Sequence, residues 1–355
     1  MSSSQQKHPS RILIVGPSWV GDMVMAQSLF IQLKQLHPEA LIDVLAPAWS
    51  RPLLERMPEV HASIEMPVGH GKLDLGKRRR LGHWLRQHNY DQAILLPNSL
   101  KSALVPFFAG IPLRTGWRGE MRYGLLNDIR LLNKQRYPLM VQRFVALALP
   151  PGAALPEALP RPALVAQDRF EALAQEFGLN RERPVLALCP GAEFGPAKRW
   201  PEAHYAEVAA SKIAEGWQVW LLGSGKDRDV CADIIERQSD EARSYCENLA
   251  GRTQLADAID LLAQADAVVS NDSGLMHIAA ALGRPLAVVY GSTSPDFTPP
   301  LAEKVRILSI EVECGPCFQR ECPLGHMKCL QELPPQRALD ALDELCSDAG
   351  EATRA

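Results

Sequence analysis

Short apolar runs recur along the chain, each followed by a longer stretch in which apolar residues return every three or four positions. The runs fall at residues 11–16 (RILIVG), 41–46 (LIDVLA) and 92–97 (QAILLP), and again at 184–189 (PVLALC), 217–222 (WQVWLL), 266–270 (DAVVS) and 285–290 (PLAVVY). Runs this short and uniformly apolar suit strands covered on both faces, and the longer periodic stretches suit helices. The alternation predicts βαβ units, and so an α/β protein built on parallel sheets. Between the two groups of runs lies PPGAALPEALPRP, residues 150–162, too rich in proline to continue either kind of element. The expected architecture is two Rossmann-like domains, residues 1–160 and 161–335, with their sheets facing a central cleft. Residues 336–355 complete it as a C-terminal helix whose periodicity suits packing back across the hinge. Ligands of such sheets bind outside the carboxyl ends of the strands, so the loops that follow the apolar runs are where chemistry is expected.

Composition narrows the class. Of 355 residues, 46% are hydrophobic and 22% charged, which suits a folded globular chain and neither a disordered nor a membrane-embedded one. The net charge of −3 hides an asymmetry, because residues 1–150 carry 19 basic and 10 acidic side chains, a balance of +9, and the remainder carries −12. A basic half beside an acidic half suits one domain that meets an anionic partner; two unevenly solvated surfaces are the alternative. Lys77-Arg-Arg-Arg80, Arg86, Arg114, Arg118 and Arg122 supply most of the surplus, and a run such as KRRR is most simply a solvated helix face. Residues 100–113 (LKSALVPFFAGIPL) place an apolar segment beside these cations. That pairing fits either a surface for an anionic amphiphile, with Lys101, Arg114 and Arg118 as candidate contacts, or an ordinary buried element. No aromatic-interleaved basic motif accompanies the charge, so nucleic acid is not an expected partner. The N-terminal MSSSQQKHPS lacks the apolar segment of a secretory signal, and no run of about 18 apolar residues occurs. The eight cysteines are therefore expected to be reduced thiols in the cytoplasm.

Three loops carry candidate chemistry. Gly16-Pro-Ser-Trp-Val-Gly21-Asp22 follows the first strand and opens a helix. Its glycines have the spacing of a phosphate-cradling loop, but Asp22 stands where that loop needs lysine, and a carboxylate would repel phosphate. The dinucleotide fingerprint fails too, since its middle glycine falls on Ser18. What remains is a carboxylate held ionised at a helix start, able to take a proton from a hydroxyl, or else a plain N-cap. In the second half, Asn271-Asp272-Ser273-Gly274 leads from a strand into a helix whose free N–H groups can hold a diphosphate, with His277 four residues after Ser273 on the same helix face. A capped helix with a packed histidine is the bland alternative. The loop from Cys189 to Pro201 adds Lys198 and Arg199 ahead of a Trp-Pro helix start, and Lys226 follows the strand at 217–222. A fixed cation with a helix N-terminus could neutralise a diphosphate without a metal ion, so no cofactor is required. Finally, Cys314, Cys317, Cys322 and Cys329 enclose His326. This spacing is open to a structural metal, to free thiols or to reversible disulfides.

Taken in order, GPSWVGDMVM, PGAEFGPAKRWP, NDSGLMHIAAALG and CGPCFQRECPLGHMKC resemble the motifs of the ADP-heptose:lipopolysaccharide heptosyltransferases, and within that family most closely the heptosyltransferase II branch. The resemblance runs from Arg11 to about Leu345. It implies a GT-B fold, an N-terminal domain for the acceptor and a C-terminal domain for the sugar nucleotide. It also implies inverting transfer of L-glycero-D-manno-heptose from ADP-heptose to the first heptose of heptosyl-Kdo2-lipid A, in peripheral contact with the cytoplasmic face of the inner membrane. By the same resemblance Asp22 is the catalytic base, Lys198 contacts the donor phosphates, and Asp272, Ser273, Gly274 and His277 form the donor motif. Relatives carry Thr-Gly where this chain has Ser273-Gly274, and a ribose-binding glutamate near Gly225-Lys226. Other readings are transfer to a different acceptor within the family (types I or III), a sugar-nucleotide epimerase on the same two-domain plan, and a non-catalytic nucleotide- or lipid-binding regulator.

Overall fold

The computed structural model describes residues 9–69 and 71–352. The chain divides into two compact units, and the division falls between Pro162 and Ala163 at the end of the proline-rich stretch.

Among the described residues, the first unit holds six strands: β1 (Arg11–Val15), β2 (Leu41–Ala46), β3 (Val60–Glu65), β4 (Gln92–Leu95), β5 (Leu113–Trp117) and β6 (Asp128–Arg130). The second holds β7 (Val185–Cys189), β8 (Gln218–Leu221), β9 (Cys246–Asn248), β10 (Ala267–Asn271), β11 (Leu286–Val289) and β12 (Val305–Leu308). Every pairing is parallel, and the spatial orders are β3-β2-β1-β4-β5-β6 and β12-β11-β10-β7-β8-β9. Counted from its own first strand, each sheet has the order 3-2-1-4-5-6 of a dinucleotide-binding fold. The strand order therefore reverses between β1 and β4 in the first sheet and between β7 and β10 in the second, and these switch points open the crevices in which such sheets hold ligands.

All seven apolar runs are strands. The five strands without such a run, β3, β5, β6, β9 and β12, lie on the flanks of the sheets, and only β5 has more than one fully buried residue. A flanking strand is covered on fewer sides, so its sequence need not be continuously apolar, and the periodic signal is lost.

Helix α1 (Val20–Leu36) follows β1 and is buried along most of its length, from Met23 to Phe30. It ends where His37 precedes Pro38, since proline disfavours helical geometry in the residue before it. Helix α2 (Leu75–Leu85) contains the KRRR run, and here the solvated-face expectation needs correcting. Lys77, Arg79 and Arg80 are exposed, but Arg78 is buried and donates to the carbonyl oxygens of Leu73, Lys72 and Lys101 at 2.5, 3.1 and 3.2 Å. It pins the loops on either side of the helix.

In the second unit, α3 (Glu202–Ala214) starts after Trp200-Pro201 as expected, and α4 (Gly274–Ala281) follows β10. The C-terminal helix α5 (Gln336–Ala352) lays Leu339, Leu342 and Leu345 against this unit's sheet and against α3. Each buried leucine of this stripe stabilises the unit by about 1.5–3 kcal/mol.

Candidate active site

In the first unit, Asp22 occupies the first turn of α1, directly beyond the carboxyl end of β1. The N-cap position belongs to Trp19, whose side chain makes no capping bond, so Asp22 is not the N-cap of the bland reading. The helix N-terminus favours its ionised form. Beside it in the sheet, the loop after β4 carries Lys101, half-buried in the turn Leu100–Ala103. Buried Arg122 anchors this loop by donating to Pro97 O at 2.8 Å and to Asn98 Oδ1 at 3.2 Å. Arg118 is exposed just past the carboxyl end of β5.

Arg114 does not join them. It sits near the amino end of β5, paired with Ala93, and its guanidinium donates to Leu125 O at 2.6 Å and Ile111 O at 2.5 Å while its carbon lies 5.8 Å from the Phe107 ring centre. Its donors hold the segments around Ile111 and Leu125, on the side of the sheet away from the carboxyl ends of the strands, so this candidate acceptor contact does a structural job.

The second unit brings most of its candidates together at the β7–β10 switch point. Lys198 Nζ donates to Asp272 Oδ2 at 2.6 Å, and Thr293 Oγ1 donates to the same oxygen at 2.6 Å. Asp272 is only 5% exposed, so its side chain is bonded by two donors of the protein rather than by bulk water. Next to it, Asn271 is fully buried and links three segments. Its Oδ1 accepts from Trp200 N at 3.1 Å and Tyr205 Oη at 2.9 Å, and its Nδ2 donates to Pro190 O at 2.6 Å. The loop that bears Lys198 is thereby fastened to the end of β10.

Ser273 is the N-cap residue of α4 but caps nothing with its side chain, whose oxygen lies 3.3 Å from Ser270 Oγ. The first N–H groups of α4, beginning with Gly274, are left without a side-chain cap, as an anion site requires. His277, one turn into α4, is buried, and desolvation pushes its pKa down to about 4, with Lys198 lowering it further against the opposing pull of Asp272. It is a neutral imidazole at physiological pH.

Lys226 is placed elsewhere. It is exposed and its Nζ lies 2.5 Å from Glu193 Oε1, across two surface loops. The buried residue of that loop is Asp227, which accepts from Ser224 N at 2.9 Å and Ser224 Oγ at 2.8 Å. Gly191 packs directly on it, and a Cβ at that position would come within 2.4 Å of the Asp227 carboxyl carbon.

Cys314, Cys317, Cys322 and Cys329 are free thiols that line one small cavity of about 20 Å³ together with His326, Ala197 and Ser292. Cys314 Sγ is 4.0 Å from His326 Nε2. Among the described residues, no three His, Cys, Asp or Glu side chains are placed to hold a metal ion. What the cysteine loop does is pack against the Lys198 loop. Ala197 N donates to Arg320 O at 3.1 Å, and Gly195, at φ 156°, passes so close that a Cβ would stand 2.3 Å from that same oxygen. Thr293, Asn271, Asp227 and Arg320 are the site residues that sequence reasoning did not assign. A Gly-Ser-Thr-Ser-Pro turn directly after the strand at 285–290 was the available signal for Thr293.

Together the second unit presents a lysine–carboxylate pair, an uncapped helix start and a neutral imidazole at one switch point, and the first presents a carboxylate at the corresponding strand end. The family model of glycosyltransferase family 9 (heptosyltransferase) matches residues 78–328. Lipopolysaccharide heptosyltransferase 2 of Salmonella typhimurium is 54% identical over 346 residues, covering 96% of this chain and 99% of that protein. Lipopolysaccharide heptosyltransferase 2 of Escherichia coli K12 is 53% identical over 341 residues, covering 94% and 98%. The solved structure of E. coli ADP-heptose lps heptosyltransferase II has a TM-score of 0.87 at 51% identity, covering 96% of this chain and 99% of that one. The strand orders, the switch-point residues and these matches lead to one conclusion: the chain belongs to glycosyltransferase family 9, the heptosyltransferases.

Proposed function

We propose that this enzyme transfers L-glycero-D-manno-heptose from ADP-heptose to the first heptose of heptosyl-Kdo2-lipid A, with inversion at the anomeric carbon. The observation that carries the donor half is the Lys198–Asp272 pair beside the uncapped start of α4. In the proposed reaction Asp22 accepts the proton of the acceptor hydroxyl as its oxygen bonds to the anomeric carbon. The bond from that carbon to the ADP oxygen breaks, and ADP departs with the electron pair. Lys198 and the α4 N–H groups receive the charge that develops on the leaving diphosphate, so no metal ion is needed in this scheme.

The acceptor is anionic and lipid-linked. Lys101 and Arg118 lie at the carboxyl ends of the first sheet, and the exposed Lys77, Arg79, Arg80 and Trp84 of α2 suit the headgroup region of an anionic membrane. That placement supports our reading that the enzyme works in peripheral contact with the cytoplasmic face of the inner membrane. Among the described residues, no helix is long and apolar enough to cross a bilayer.

The test is incubation of purified protein with ADP-heptose and heptosyl-Kdo2-lipid A in the presence of EDTA, followed by mass analysis of the lipid. A gain of one heptose is expected. Consumption of ADP-heptose without acceptor would point instead to an epimerase, and no change in either substrate would refute transfer.

Lys198→Ala tests the donor half. The substitution removes a charge-assisted donor and leaves Asp272 with Thr293 as its remaining donor and no cation beside it, facing an anionic ligand. With about 1.5–3 kcal/mol for a hydrogen bond to a charged group, ADP-heptose affinity is expected to fall roughly 10- to 100-fold by calorimetry. An unchanged affinity would remove Lys198 from the donor site.

A further inference from the structure

The cations on the Lys198 loop are nearly all neutralised within the protein. Lys198 is paired with Asp272 at 2.6 Å, Arg199 with Asp227 at 3.7 Å, and Lys226, which reaches the loop through Glu193, lies 2.5 Å from that carboxylate. His277 is uncharged. A diphosphate entering this site would meet one-to-one ion pairs in a unit whose overall balance is negative.

Arg320 is the exception. It extends from the cysteine loop, and its Nε donates to Phe194 O at 2.8 Å. This bond fixes the guanidinium on the Lys198 loop, while both terminal nitrogens have no partner and the side chain forms no ion pair among the described residues. Its guanidinium carbon is 5.6 Å from the Phe194 ring centre, and Lys198 Nζ is 5.0 Å from the same centre. Two cations therefore flank one ring, one neutralised by Asp272 and the other not. The backbone supports this placement, since Arg320 O accepts from Ala197 N and closes over Gly195. The guanidinium is an exposed, pre-oriented fork, the form of cation best suited to two phosphate oxygens.

We propose that Arg320 is the second cation of the donor site and binds the diphosphate of the sugar nucleotide through its terminal nitrogens. The assignment rests on the reading of the β7–β10 switch point as the ADP-heptose site. It gives the cysteine loop a functional consequence, because that loop delivers the charge that the Lys198–Asp272 pair cannot supply alone.

The test is calorimetric titration of full-length wild type, Arg320→Ala and Arg320→Lys with ADP, alongside unfolding midpoints of the three unliganded proteins. Arg320→Ala is expected to weaken ADP binding at least tenfold with its midpoint unchanged, and Arg320→Lys to recover part of the loss because it restores the charge. ADP affinity in Arg320→Ala within twofold of wild type would overturn the assignment. So would an affinity in Arg320→Lys as poor as in Arg320→Ala, or a loss of ADP binding that tracks a lowered midpoint, which would mark Arg320 as a structural brace. Failure of wild type itself to bind ADP would instead overturn the donor-site reading, and the Arg320 assignment with it.

Discussion

Asp22→Asn is expected to lower heptose transfer by roughly 10²- to 10⁴-fold, the range of a lost general base, while leaving the affinity for ADP-heptose unchanged. The substitution keeps the size of the side chain and removes only its ability to take a proton. Asp22 lies in the first turn of α1, where a carboxylate favours the helix by about 0.3–1 kcal/mol. The proposed donor residues all belong to the second unit, where Lys198 and Thr293 both donate to Asp272. Transfer measured at saturating substrate, together with calorimetric binding of ADP-heptose, separates the two effects. Turnover near wild type would remove Asp22 as the base, and a parallel loss of donor binding would give it a different role.

The central strands were readable from sequence because they are buried on both faces, and burial leaves an uninterrupted apolar run. β3, β6 and β9 were not, because a flanking strand mixes polar and apolar residues without a clear period. The same physics governs the site. Lys198 and Asp272 stand in segments that follow apolar runs, and His277 lies one turn into the helix after one of them; the carboxyl ends of central strands are where a parallel sheet exposes its chemistry.

Charge was the less reliable guide. Arg78, Arg114 and Arg122 read as surplus cations, yet each donates to backbone carbonyl oxygens in its own unit, and a one-dimensional count cannot separate an arginine that holds a loop from one that waits for a ligand. The +9 of the first half therefore overstates the positive surface available to an acceptor. Asn271 and Arg320 were hidden for another reason. They act on segments 71 and 126 residues away, Trp200 and Phe194 respectively, and only the folded sheet brings those partners together.

The depressed pKa of His277 makes the donor site a source of acid sensitivity. The unfolded chain takes up a proton at His277 near pH 6.5, and the folded chain only near pH 4. Between those values the unfolded state binds the extra proton, so stability rises with pH through this window and is lost on acidification. At about 1.4 kcal/mol per pKa unit, the full contribution is on the order of 3 kcal/mol, present at neutral pH and gone by about pH 4. Urea unfolding at pH 7 and pH 5.5 samples the upper part of the window, above the range in which most carboxylates titrate. Wild type is expected to lose about 1 kcal/mol more than His277→Gln over that interval. Equal losses would mean that His277 titrates alike in both states and is not buried as a neutral imidazole. The same burial bears on binding, because a cationic His277 would have supplied the charge that the Lys198–Asp272 pair lacks. Kept neutral, it can only orient the ligand through hydrogen bonds, and the demand for an uncompensated cation passes to Arg320.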